Sequence, residues 1–318
     1  MGRKEDFLNV LTGQFCPRLP LWELHFHIWN LYSKEPVVLG ADFLKLDEKQ
    51  RSYAIDKNAE IMAETVQEIG FGAVSIPDAP WDCWYTLPQK YRVQLTQKIK
   101  ALNPDFAIVA GGSGVLSMPS DGAQYVEFCY RLFDAEEEID QECENIFSNW
   151  LEQAQELAQA GLDAMYIPAD VADNRTTFFN RAQLERWYFP YLRQCAEEID
   201  KMGMVPILHT DGNITTILPD LLKTGIKGLQ AIDPVAGMDI QNTKKLLAPQ
   251  ITVCGNVDCG LMLTGSPDQV YEATAQLIRD CFDGQSFILG NSNAVAREVP
   301  RQNYDAHLSA WRDMNQKK

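Results

Sequence analysis

At 318 residues, the chain is long enough for one large barrel or for two ordinary domains. Its 44 acidic and 28 basic residues give a net charge of −16, which argues against a nucleic-acid partner, because phosphate binding draws its affinity from clustered cations. No run approaches the roughly 18 apolar residues of a membrane-spanning helix, so no membrane partner is expected. Eight cysteines (16, 83, 129, 143, 195, 254, 259 and 281) form no Cys-x-x-Cys pair, and the polar start at 1–6 carries no apolar signal segment. Reduced thiols and a cytoplasmic location are the expectation.

In chain order, short runs rich in Val, Ile and Phe recur at 21–26, 73–76, 106–110, 164–167, 205–208, 228–232, 251–254 and 287–289. Longer segments of helical period lie between them, such as 57–69, 144–160, 184–202, 215–224 and 268–282. Gly70, Gly161, Gly203, Gly225 and Gly284 stand where helices should stop. Strands alternating with helices predict a parallel sheet. Eight units, with no Gly-x-Gly-x-x-Gly turn after the first strand, favour an α/β fold of one domain, a single TIM (β/α)8 barrel over 1–318, above a doubly wound sheet. Two long passages, 31–50 after the first strand and 111–135 after the third, are expected as extended loops over the barrel mouth.

In such a barrel the residues that close the strands face one pocket. Only four histidines are present, and three fall at expected strand ends. His209 and Asp211 follow the apolar run 205–208 and precede a Gly-Asn turn, so imidazole and carboxylate can point into the same space. Period-two alternation places Glu23, His25 and His27 on one face of the first strand, with Leu24, Phe26 and Ile28 on the other. Asp78, Asp170, Asp233, Asn256, Asp258, Asn291 and Asn293 close the other runs. Asp78, Asp233 and Asp258 have an alternative reading as helix caps or turn residues. Nitrogen and oxygen ligands without thiolate suit a catalytic zinc ion that polarises a substrate oxygen. His209, Asp211 and Glu23 are the expected metal ligands, with Glu23, Asp170 and Asp78 as acids and His25, His27, Trp81, Asn256, Asp233 and Asn293 on the substrate. Trp22, Trp29, Trp81, Trp84, Tyr85, Phe178 and Phe179 gather near the same strand ends, where they serve either as core or as flat walls for a ligand.

Several segments together resemble the uroporphyrinogen decarboxylase superfamily: Pro20-Leu21-Trp22, Ile207-Leu208-His209-Thr210-Asp211-Gly212-Asn213, Gly255-Asn256-Val257-Asp258, Thr264-Gly265-Ser266-Pro267 and Ile288-Leu289-Gly290-Asn291. Their order and spacing match from Arg18 to Trp311. The decarboxylases carry an Arg-Gln-Ala-Gly-Arg run that binds substrate carboxylates, and this chain reads His25-Phe26-His27-Ile28-Trp29 there. Decarboxylation of uroporphyrinogen is therefore not expected. The chain is closer in type to the corrinoid-dependent methyltransferases, whose zinc site uses His-x-Cys after the fifth strand and a second cysteine after the eighth. His209 matches the histidine, Asp211 stands at the first cysteine, and Asn293 falls near the second. The resemblance thus implies methyl transfer from a small methylated donor, a methyl ether or methylamine, to a corrinoid on a partner protein, with an oligomer allowed. Two other readings stay open: a metal-dependent hydrolase built on Glu23, His25, His27 and His209, and a barrel that decarboxylates or only binds a ligand.

Overall fold

The computed structural model describes residues 2–79, 82–119 and 122–316. Seven parallel strands pair in sequence order: β1 (Ala73–Ser75), β2 (Ala107–Gly111), β3 (Ala164–Pro168), β4 (Val205–Thr210), β5 (Gly228–Ala231), β6 (Thr252–Cys254) and β7 (Phe287–Ile288). They curl into a TIM-like barrel wall, with helices such as Glu48–Ile69, Glu136–Ala160, Phe189–Lys201 and Pro267–Cys281 between them. Gly70 and Gly161 end two of these helices in the left-handed region, at φ 102° and 103°, where a side chain would be strained. Among the described residues, no helix is long and apolar enough to cross a membrane.

The expected first strand, 21–26, is not a strand. Its backbone instead makes isolated parallel bridges, Leu21 with Leu289 and Phe26 with Val295. Trp22 N–H donates to the Leu289 carbonyl at 2.9 Å, and Leu289 N–H to that of Pro20 at 3.0 Å. On the other side, Gly72 N–H, just before β1, donates to the Leu21 carbonyl at 2.8 Å. The segment is thus bonded to both edges of the seven-stranded sheet. A bend at Leu24 breaks its alternation.

Alternate side chains of the strands enter two separate cores. Val109, Tyr166, Ile207, Cys254 and Ile288 pack inside the barrel with Phe7, Val10 and Leu11 of the helix Arg3–Leu11. Ile108, Ile167, Leu208, Val253 and Phe287 face the surrounding helices. The helix Arg3–Leu11 closes the amino ends of the strands: Lys4 Nζ lies 2.6 Å from Asp163 Oδ1, and Thr252 Oγ1 donates to the Val10 carbonyl at 2.6 Å.

The two long passages are more ordered than loops. Residues 111–135 contain the helix Gly122–Asp134, whose Phe128 and Leu132, four apart, are buried. Residues 31–50 contain the short helix Gly40–Leu44 and the start of Glu48–Ile69, which Asp47 and Gln50 cap reciprocally. The helix expected over 215–224 shrinks to Leu218–Leu221.

Glu23, only 3% exposed, ties three parts of the chain together. Asn291 N–H donates to Oε2 at 2.9 Å, the Tyr304 hydroxyl donates to Oε1 at 3.0 Å, and His307 Nε2 lies 3.6 Å from Oε1. One carboxyl so links the 20–26 segment, the turn after β7 and the helix Arg301–Gln316. Burial pushes its pKa up to about 8 against these hydrogen bonds, and burial alone holds His307 down at about 3. Unfolded Glu23 ionises through pH 4.5 whereas the folded group keeps its proton to about 8, so its contribution to stability is complete below 4.5 and is lost as pH rises through 8. His307 acts in the opposite sense, losing stability only as pH falls below 6.5. Between pH 6.5 and 8, then, thermal unfolding should move to lower temperature with rising pH in the native protein. The slope should flatten in Glu23→Gln, and equal slopes would remove Glu23 as the cause.

Candidate active site

Register and alternation decide which side chains meet at the carboxyl ends. Ile207 points into the barrel, so His209, two residues on, does as well. His209 is the register partner of Pro168 on β3 and of Gln230 on β5, and Tyr166 is the partner of Gly111 on β2. His209 and Gln230 therefore stand one inward position above Ile207, whose own register partner is Tyr166.

His209 is buried, while Asp211 is partly and Asp170 largely exposed. His209 Nε2 lies 4.0 Å from Asp170 Oδ1, and Asp211 N–H donates to the same oxygen at 3.1 Å. One nitrogen or oxygen atom from each of the three lies within 4.8 Å of the others. Burial, together with the neighbouring Asp170 and Asp233 charges, pushes the Asp211 carboxyl up to about 6 against the pull of His209 and the Asn293 hydrogen bond. Asn293 Nδ2 donates to Asp211 Oδ2 at 2.6 Å, and Ala294 N–H fixes that amide by donating to Asn293 Oδ1 at 2.7 Å. Among the described residues, neither Asp170 nor Asp211 forms a salt bridge with Lys or Arg. Two adjacent unneutralised carboxylates beside an imidazole nitrogen match the donor set of a zinc site.

Glu23 is not among these groups. The bend at Leu24 turns its side chain toward Tyr304 and His307 and leaves His25 facing inward, so the expected shared face of Glu23, His25 and His27 does not form. Leu24 likewise packs in the inner core, while Phe26 and Ile28 join the outer one.

A second cluster lies beside the first. Asp78 accepts from the Tyr166 hydroxyl, from Gly111 N–H and from Arg92 Nη2, the last at 3.2 Å. Both of its oxygens are engaged, which makes it an anchor for Tyr166. His25 Nε2 is 2.9 Å from the Tyr166 hydroxyl and 3.5 Å from Asp78 Oδ1. Burial lowers the His25 pKa to about 4, with Asp78 opposing the shift, and raises that of Tyr166 well above its ordinary value. Near neutral pH both are uncharged hydrogen-bonding groups. Tyr166 also packs edge-on against His209, with ring centroids 6.5 Å apart, which joins the two clusters.

Beyond His25, His27 Nδ1 lies 3.1 Å from Asp82 Oδ2, its ring stacks on Tyr85 at 4.0 Å, and Asp82 also meets Arg297 at 3.3 Å. His27, Trp29, Trp84, Tyr85 and Arg297 line a cleft of about 260 Å³. Trp22 and Trp29 are buried, whereas Trp84 is 44% exposed. Trp81 lies outside the described residues. Asn256 Nδ2 donates to the Ile232 carbonyl at 2.6 Å and so ties down the end of β5. Asp233 accepts from Val235 N–H at 2.9 Å, within its own turn, and Asp258 caps the helix Cys259–Thr264. Asn291 donates its backbone N–H to Glu23.

Tyr166, Gln230, Arg92, Asp82 and Arg297 escaped the sequence reading. Tyr166 and Gln230 stand inside apolar runs, where only two-residue counting along the strand marks them as inward. Arg92 lies on the helix Gln89–Ala101, and nothing local signals its reach to Asp78.

Gly111 has no side chain where the Tyr166 ring and Asp78 carboxylate converge, and an added Cβ would fall on both. Gly111→Ala should therefore displace Tyr166 and lower stability by about 1–3 kcal/mol, as overpacking does. Chemical denaturation measures this, and an unchanged midpoint would show that the pair does not need the gap.

The sequence profile described as Uroporphyrinogen decarboxylase (URO-D) matches residues 93–314. The search of curated proteins found no match to the sequence. Among solved structures, the chain is similar to a methyltransferase from Methanosarcina mazei, with 16% identity, TM-score 0.71 and coverage of 98% of this chain and 99% of that one. It is also similar to a B12-independent methionine synthase from Shewanella sp. W3-18-1, with 14% identity, TM-score 0.58 and coverage of 96% and 98%. A putative vitamin-B12 independent methionine synthase from Listeria monocytogenes follows, at 12% identity, TM-score 0.52 and coverage of 95% and 99%. At these identities the structural likeness concerns the fold.

Proposed function

The chain belongs to the uroporphyrinogen decarboxylase family, and on that premise we propose that it is a methyltransferase, moving a methyl group from a small methyl ether or methylamine to a corrinoid on a partner protein. The observation that carries this reading is the convergence of His209, Asp170 and Asp211 at the carboxyl ends of β3 and β4. The methyltransferase among the similar folds supports it. Decarboxylation of a polycarboxylate is disfavoured by the absence of the arginine run. The two arginines found beside the site, Arg92 and Arg297, are already bonded to Asp78 and Asp82.

His209, Asp211 and Asp170 would hold a zinc ion. This replaces the expected His209, Asp211 and Glu23, because Glu23 is held by Asn291 and Tyr304. Asp170, expected as an acid, joins the ligands. When bound, zinc supplies Lewis acidity at the heteroatom that the methyl group leaves. Tyr166 and His25, kept uncharged by burial and steadied by Asp78 and Arg92, orient the donor through hydrogen bonds. The cleft past His27 accepts the remainder of the donor between Tyr85, Trp84 and Arg297. A reduced corrinoid on the partner would supply the electron pair that takes the methyl group, and the electrons of the broken carbon–heteroatom bond would remain on the donor's oxygen or nitrogen, beside His209, Asp211 and Asp170, to be neutralised by a proton from water.

Two measurements test this. Protein mixed with reduced cobalamin and a panel of methyl ethers and methylamines should give methylcobalamin absorbance with at least one donor, and His209→Ala should lower that rate at least 100-fold. Donor cleavage without corrinoid would point to hydrolysis, and no turnover of either kind would leave a ligand-binding barrel. Zinc affinity should fall as pH drops through about 6, where Asp211 takes up its proton. Asp211→Asn should bind zinc more weakly, and an affinity unchanged in the variant would exclude Asp211 as a ligand.

A further inference from the structure

Gln230 is 2% exposed and stands beside His209 in the β4–β5 register. Its Nε2 donates to two backbone carbonyls of the turn after β7, Asn291 at 3.2 Å and Ser292 at 3.4 Å. A carbonyl accepts and never donates, so these two oxygens can face only the NH2 end of the amide. Flipping the amide would put oxygen against two oxygens in a buried space, where an unpaired polar contact is costly. Oε1 is thereby forced toward His209 Nδ1, which it contacts. An amide oxygen is an acceptor, so Nδ1 must carry the imidazole proton and Nε2 must present its lone pair. Nε2 is the nitrogen facing Asp170 Oδ1.

We infer that Gln230 is a positioning residue that fixes the His209 tautomer, holding Nε2 ready to bind a cation through a chain of hydrogen bonds anchored on the 291–294 turn. Without it, the neutral imidazole would gain by moving its proton to Nε2, where it faces the Asp170 carboxylate, and would then offer no lone pair to a metal. The same turn fixes the second ligand, since Asn293, pinned by Ala294 N–H, holds Asp211 Oδ2. His209 and Asp211 are thus oriented from one loop. The inference rests on the reading of His209 as a metal ligand for its purpose, but the tautomer itself does not depend on a bound metal.

The test reads the tautomer in metal-free protein. Long-range proton–nitrogen NMR on 15N-histidine-labelled protein at pH 8 has four imidazoles to resolve, and His209→Ala assigns the one in question. In the native protein the His209 Nε2 should resonate as an unprotonated nitrogen and Nδ1 as a protonated one. Gln230→Met, close in size but without a hydrogen-bonding amide, should move the proton to Nε2 and weaken zinc binding by about 10–100-fold, the usual effect of removing such a partner. Gln230→Glu should keep the proton on Nδ1, since a carboxyl oxygen accepts from Nδ1 whether or not the acid is ionised. A proton on Nε2 in the native protein overturns the proposal, and so does a Gln230→Met protein that keeps it on Nδ1. The native measurement stands even where Gln230→Met is too unstable to label. A proton that moves as expected in a protein that takes up no zinc supports the positioning role and sinks only the metal reading.

Discussion

Everything in this molecule depends on the register of β3, β4 and β5. Each parallel pairing aligns residues that project to the same side, and the barrel gives that side a single interior. Ile207 and its neighbours fill the lower layer, with Tyr166 as the register partner of Ile207, and the next inward positions on β4 and β5 carry His209 and Gln230. A slip of one residue would send the imidazole to the helices and Leu208 into the pocket. The helix Arg3–Leu11 strengthens the polarity of the barrel by stopping its amino end with Phe7, Val10 and Leu11.

Around this layer the charges are arranged by what surrounds them. Asp78 is enclosed by donors, so it serves as a fixed point for Tyr166 and Arg92. Asp170 and Asp211 lack a cationic partner among the described residues and stand at the mouth, where a cation could join them. Glu23 is an acid buried behind the wall, joined to Tyr304 and His307, and it holds the 20–26 segment against the last helix. Three kinds of carboxylate environment thus result: a donor-enclosed anchor, an exposed pair proposed to bind a cation, and a buried clasp.

Family membership and geometry point in one direction, with a distinction inside it. Where the sequence resemblance leads one to expect thiolates, this chain places Asp211 and Asn293, and the two side chains bond to each other. In the proposed zinc site, an oxygen ligand held by an amide would keep the imidazole–carboxylate set hard, which would suit the oxygen or nitrogen donor proposed above. His25 joins Tyr166 to His27, and His27 with Tyr85, Trp84 and Arg297 lines a cleft whose aromatic faces and polar groups are the composition expected of a small-molecule pocket.

Much of the fold was legible in the sequence because it rests on local rules. Seven apolar runs became strands, and Gly70 and Gly161 stopped their helices as expected, since alternation and left-handed caps need only neighbouring residues. The strand-end position of His209 and Asp211 was read for the same reason. The 21–26 segment was misjudged because its alternation is interrupted at Leu24 by contacts hundreds of residues away, and with it the placement of Glu23. The helix Gly122–Asp134 lies in a passage whose composition reads as loop, although its buried Phe128 and Leu132 follow helical spacing. By itself, then, the sequence determined which residues alternate and where the chain turns. Only the tertiary structure decided which polar groups touch, because Gln230 with His209, Arg92 with Asp78 and Asn293 with Asp211 are set by strand register and loop path across 14 to 82 positions of chain.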